Sequence, residues 1–109
     1  TIDVSHFDTS NATKMNQMFY GCKAITSLDL SNFNTSNVTV TNSMFYYCSK
    51  LKHLDIRNFD FTKVTNYSRM FGEMPASCEI IVKDDEAKSW VTSKFTTLTN
   101  VKTVAELEG

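Results

Sequence analysis

Glycine and proline are scarce in this chain, with three glycines and one proline in 109 residues. The glycines stand apart at 21, 72 and 109, so no glycine-rich loop is available to cradle a phosphate. An excess of charge of either sign is lacking too. Lys and Arg number 11 against 12 Asp and Glu, a net charge of -1. Nucleic-acid binding needs clustered cations to neutralise phosphates, and such a cluster is missing. No basic amphipathic helix suits a membrane surface, and no apolar run is long enough to span a bilayer. The three cysteines form no CxxC pair and have no matching histidine pair, so zinc-ligand spacing is absent. His6 and His53 lie in different sequence contexts without a nucleophile regularly beside either, which argues against a catalytic triad. No cofactor, no metal and no enzymatic activity are expected.

What the chain has is a period. Ile2, Leu28, Leu54 and Ile80 follow one another at equal steps of 26 residues. The same step links Phe7, Phe33 and Phe59, then Met18, Met44 and Met70, then Phe19, Phe45 and Phe71, and Cys22 with Cys48. A fixed period of about 20–50 residues marks stacked units that bury their apolar faces only against each other. Each unit opens with alternation, as in Leu28-Asp29-Leu30-Ser31, which predicts a strand with one buried face. A polar stretch such as Asn34-Thr35-Ser36-Asn37 then predicts a turn. Met15, Met18, Phe19 and Cys22 fall at i, i+3, i+4 and i+7, a spacing that predicts a two-turn helix introduced by Thr13, with Thr39 and Thr65 in the same role further on. The expectation is an α/β solenoid with parallel short strands on one face and short helices on the other, advancing roughly 4.8 Å per unit. Phe33, Phe59, Met44 and Phe45 are its expected core residues.

Residues 28–51 closely follow the pattern L-D-L-S-x-F-D-T-S-N-V-T-x-M-x-x-M-F-x-x-C-x-x-L. Residues 2–25 follow it with mild departures at Ile2, Val4 and Ala12, and residues 54–74 depart at Phe61, Tyr67 and Met74. This pattern resembles the BspA-like leucine-rich repeats of bacterial surface proteins. The resemblance covers about two thirds of the chain. It implies a right-handed leucine-rich-repeat-like solenoid, and a protein that is secreted or attached to the bacterial cell wall.

The whole chain, 1–109, is expected to be one repeat domain: three units over 1–78, then a fourth strand, a helix and a cap over 79–109. Pro75 stops the third helix, and Ile80-Ile81-Val82 keeps the strand register. Asp84 and Asp85 open a helix carrying Ala87, Trp90, Val91, Phe95 and Leu98, and Val101 to Val104 suits a last strand. Trp90 is the expected anchor of this α/β cap, since a repeat array needs an atypical last unit. Similar endings with a W-V-x-x-x-F core follow these repeats in the family. The opposite end shows no start signal, no cationic leader and no cap. The expectation there is a piece of a longer protein whose first coil exposes a strand edge and self-associates through it.

Several residues invite a functional reading. Asp29 and Asp55, with Asp3, make an acidic ladder on the outer sheet face, able to hold a cation or simply to be solvated. The neighbouring outward positions grow basic toward Arg57 and Lys83, and the variable positions around Arg57 are the better place to seek specificity. Asn32 and Asn58 are expected to bond loop backbone. Tyr20, Tyr46 and Tyr47 adjoin the buried phenylalanines and read equally as an interface patch or as a shield over the core. Cys22 and Cys48 come within disulfide reach in adjacent coils, but small buried thiols filling the core are the favoured reading. Asn11, Asn34, Asn37 and Asn66 each begin a glycosylation acceptor triplet, mostly as a by-product of the repeated turn.

The expected function is a non-catalytic protein-interaction or adhesion module of a bacterial surface protein, located outside the cell. Its partner would be a host or bacterial surface protein, with a glycan as a further option, and neither nucleic acid nor direct membrane insertion is expected. The alternative is a structural spacer that holds another domain away from the cell. A hydrolytic role for Asp29 and Asp55 is the weakest reading, because carboxylates on adjacent strands are poorly placed to flank a substrate.

Overall fold

The 26-residue step reappears as strand register. In a computed structural model that describes residues 3–109, β1 (Ser27–Asp29) pairs in parallel with β2 (His53–Asp55), and β2 pairs with β3 (Glu79–Val82). Leu28 lies opposite Leu54, and Leu54 opposite Ile80. The last step is shorter, since Ile80 faces Val101 of β4 (Val101–Thr103). The result is an α/β fold with a four-stranded parallel sheet, ordered β1-β2-β3-β4, and two short helices. Ile2 of the expected first strand lies outside the described residues, and Asp3 and Val4 carry no strand.

The repeated apolar strand positions point into one core, while Ile81 of β3 is buried on the opposite face of the sheet. Leu28, Leu30, Leu54, Ile56, Ile80 and Val82 are buried, as are Phe33, Phe59, Met44, Phe45 and Leu51. Burying a side chain of this kind contributes about 1.5–3 kcal/mol. Phe19, Phe45 and Phe71 form a column with centroids 5.8 and 5.5 Å apart, and Phe33 lies 6.3 Å from Phe59.

The expected helices of the repeat do not form. Residues 15–22, 41–48 and 67–74 are chains of overlapping turns. Met18, Tyr20 and Cys22 donate to the carbonyls of Met15, Gln17 and Phe19, each a bond across three residues. The alternate amides point to the neighbouring unit instead: Met15, Gln17, Phe19 and Gly21 donate to Val40, Asn42, Met44 and Tyr46. The next pair of units repeats this, with Phe45 donating to Met70 at 2.8 Å. Single-residue parallel bridges, Lys14 to Val40 and Val40 to Asn66, keep the same register as the sheet.

Spacing explains why turns win over helices. Packed helices need about 8–10 Å between axes, whereas directly paired strands sit about 4.8 Å apart. Aromatic centroids 5.5 and 5.8 Å apart show that the turn side keeps the narrow spacing, which leaves no room for a helix in each unit. The turns need left-handed residues, and these recur at the 26-residue step: Gln17, Ser43 and Arg69, then Gly21, Tyr47 and Glu73. Thr39 and Thr65 therefore do not cap helices. Their amides and hydroxyls donate to the carbonyls of Thr13 and Thr39 in the preceding unit.

Other side chains staple the units in the same sense. The Thr9 hydroxyl accepts from the Asn34 amide at 2.8 Å and donates to its carbonyl, and Thr35 does the same for Asp60. Asn32 and Asn58 donate to the carbonyls of Val4 and Ser31, in the structural role expected of them.

The cap begins with α1 (Asp85–Lys94), whose N-cap Asp84 accepts from the Ala87 amide. Asp85 and Glu86 in the first turn and Lys94 in the last suit the helix dipole. Trp90 stacks on Phe61 at 4.2 Å and meets Tyr67 edge-on, while Phe95 meets Phe71. This contact accounts for two departures of the third unit from the pattern. Phe61 stands where Thr9 and Thr35 bond the next unit; its own neighbour is α1, which offers an aromatic face rather than a backbone to bond.

After β4 comes α2 (Val104–Glu108), which the sequence reading did not anticipate; it starts with a capping box between Thr103 and Glu106. One Glu106 oxygen accepts from both the Thr103 amide and the Lys88 ammonium, tying α2 to α1. The bonds from Lys88 and then Thr103 hold the Glu106 carboxyl down to about 2. A lowered folded-state pKa stabilises above the ordinary glutamate range, and that contribution is lost as pH falls toward about 2. Glu106→Gln should therefore lower the melting temperature at pH 7, and the gap from the native chain should close as the melts are taken toward pH 2.

Candidate functional site

The outer sheet face carries the acidic ladder, but its carboxylates are engaged locally. Asp29 accepts from the Ser31 amide at 2.9 Å, and Asp3 accepts from Ser5; the side chain of each serine first, and its amide second, lowers the pKa of both groups. Asp55, only 6% exposed, accepts from the Arg57 amide and takes a two-nitrogen contact from the Arg57 guanidinium, at 3.1 and 2.8 Å. Asp29 and Asp55 are register partners on β1 and β2, each closing the turn that follows its own strand. Beside them His53 Nδ1 lies 2.8 Å from Glu79, and Glu79 accepts from Lys102 at 3.0 Å. Lys102 and then His53 hold the Glu79 carboxyl below its ordinary value. Among the described residues, no three His, Cys, Asp or Glu side chains gather as metal ligands would.

On the turn side, Tyr20, Tyr46 and Tyr47 come together. Tyr46 and Tyr47 are 4.4 Å apart, and Tyr20 lies 5.6 and 6.1 Å from them. Lys23 sits over the Tyr47 ring and Arg69 over Tyr46, at 5.6 and 5.8 Å. Tyr20 is 49% exposed and Tyr47 39%, so the cluster is an open aromatic surface edged by two cations. Tyr47 holds this place at φ 64°, a conformation costly for a bulky side chain. The equivalent position one unit earlier is Gly21, at φ 69°, which bears no such cost.

All three cysteines are unbonded thiols, and the Cys48 thiol donates to the Phe19 carbonyl. Burial pushes the Cys48 thiol up to about 11 and that of Cys78 up to about 12, and also raises half-buried Cys22. Thiols held protonated in this way are weak nucleophiles.

A groove of about 510 Å³ that the sequence reading missed lies between the turn at 58–62 and α1. Phe59, Phe61 and Trp90 line it, and Asp60, Asp84 and Glu86 stand along it with Lys83. A second hollow, of about 530 Å³, lies beside Phe7 and Met18 in the first unit. There Phe7 is 51% and Met18 38% exposed, although their counterparts Phe33 and Met44 are buried.

The profile of one family, described as Mycoplasma protein of unknown function, DUF285, matches residues 1–107. The chain belongs to this family. The match takes in the repeat units and the cap together, so both α1 and β4 fall within the family's extent. Comparison with the curated proteins and with the solved structures gives no match. Among the described residues, no helix is long and apolar enough to cross a membrane.

Proposed function

We propose that this chain is a non-catalytic interaction module: a right-handed, BspA-like leucine-rich-repeat solenoid displayed on a bacterial cell surface, with the tyrosine cluster as its contact face. The observation that carries this reading is the exposure of Tyr20 and Tyr47 beside Tyr46, held where Tyr47 takes a conformation that Gly21 takes without cost. Tyrosine supplies rigid, amphipathic contact area at little entropic cost, and it is enriched among the residues that dominate interfaces. Lys23 and Arg69 add a positive border suited to a partner surface with acidic groups. The exposed Phe7 and Met18 supply a second contact, through which the first coil would self-associate.

Tyr47→Gly tests the contact face. Relief of the left-handed tyrosine, about 1–2 kcal/mol, opposes the added unfolded-state freedom of glycine, about 0.5–1 kcal/mol. The expected outcome is stability changed by no more than about 1 kcal/mol, together with loss of binding by the labelled domain to host and bacterial cell surfaces. Equal loss of stability and binding would instead make the tyrosines a shield over the core. If the native domain bound neither surface, the spacer reading would replace the module.

A further inference from the structure

The groove beside α1 shares no lining residue with the tyrosine cluster and has a different electrostatic character. Its apolar lining comes from two directions, Phe59 and Phe61 from the turn of the third unit and Trp90 from α1. At about 510 Å³ it falls within the roughly 300–1,000 Å³ typical of ligand sites. Three carboxylates, those of Asp60, Asp84 and Glu86, stand against the single ammonium of Lys83. That local excess of two negative charges exceeds the net charge of -1 carried by the whole chain.

Two of these carboxylates are held in place by their own backbone. Asp60 Oδ1 accepts from the Thr62 amide and hydroxyl, which keeps this carboxyl below its ordinary range. Asp84 Oδ1 accepts from the Ala87 amide. In both, the second oxygen accepts no hydrogen bond from the described residues, so a fixed acceptor is available without reorganisation. The Trp90 ring already attracts one cation, Lys94, at 4.9 Å.

We propose that this groove docks a basic peptide segment, placing an apolar side chain against Phe59, Phe61 and Trp90 and an adjacent lysine or arginine against Asp60, Asp84 and Glu86. An anionic partner is disfavoured by the same carboxylates. A guanidinium or ammonium gains charge-assisted bonds to acceptors already oriented for it.

Trp90 is the only tryptophan in the chain, so its fluorescence reports directly on the groove. Titration of the native chain with acetyl-Arg-Phe-Arg-amide should give a saturable change in Trp90 emission that weakens as salt is raised, while acetyl-Glu-Phe-Glu-amide should give none. Glu86→Lys, an exposed change on the helix surface, should weaken the cationic peptide by about tenfold or more. Lys83→Gln should strengthen it. Equal response to both peptides, or indifference to both substitutions, would overturn the proposal. Saturation by chitotriose with no response to the cationic peptide would also overturn it, in favour of a glycan site. None of these outcomes depends on the tyrosine cluster.

Discussion

Replacing Phe45 by alanine is expected to remove a large share of the stability of the domain. The Phe45 ring is fully buried and lies between those of Phe19 and Phe71, at 5.8 and 5.5 Å. Truncating a buried phenylalanine costs about 3–5 kcal/mol, because the transfer free energy is lost and a cavity remains. A domain of this size has only about 5–15 kcal/mol in all. The position is central as well as buried, since the column joins all three units and a void there loosens both contacts. Urea unfolding measures the effect. Phe7→Ala is the matched control: at 51% exposure its cost should stay below about 1 kcal/mol. Similar costs at the two positions would contradict the packing described.

The second large effect is expected at Thr35, where a hydroxyl rather than a hydrocarbon joins two units. Thr35 is 3% exposed, and its oxygen accepts from the Asp60 amide at 2.7 Å. Thr35→Val keeps the shape and removes the acceptor, leaving that amide without its partner. An unsatisfied buried group costs about 1–3 kcal/mol. Thr35→Ser restores the hydroxyl and should recover most of the loss, despite giving up a buried methyl. A valine variant as stable as the native chain would show that the bond contributes nothing.

These two sites also show where sequence reasoning succeeds and where it misleads. The 26-residue step at Leu28, Leu54 and Ile80 was legible because strand alternation and register share one cause, the stacking of identical buried positions. The cap was legible for a local reason: Asp84 followed by Ala87, Trp90 and Val91 is helix chemistry within one segment. The run Met15, Met18, Phe19, Cys22 misled because the i, i+3, i+4, i+7 spacing does not distinguish one helical face from a chain of turns. The width of the neighbouring unit decides between them. Phe61 and Tyr67 registered only as departures, since what they meet, Trp90, is far along the chain. The groove was hidden for the same reason: its two walls come from different parts of the chain and share no local pattern. At Asp29 and Asp55 the charge was legible, but its use in closing the turn two residues ahead was not.

The 26-residue units bond to one another on the turn side as well as through the sheet. Scalar coupling across hydrogen bonds, measured by nuclear magnetic resonance on isotope-labelled protein, tests it at one amide. Coupling from the Phe45 nitrogen to the Met70 carbonyl carbon is predicted, from the 2.8 Å bond between them. Coupling to the Thr41 carbonyl instead, four residues back as in an α-helix, would contradict bonding between the units there.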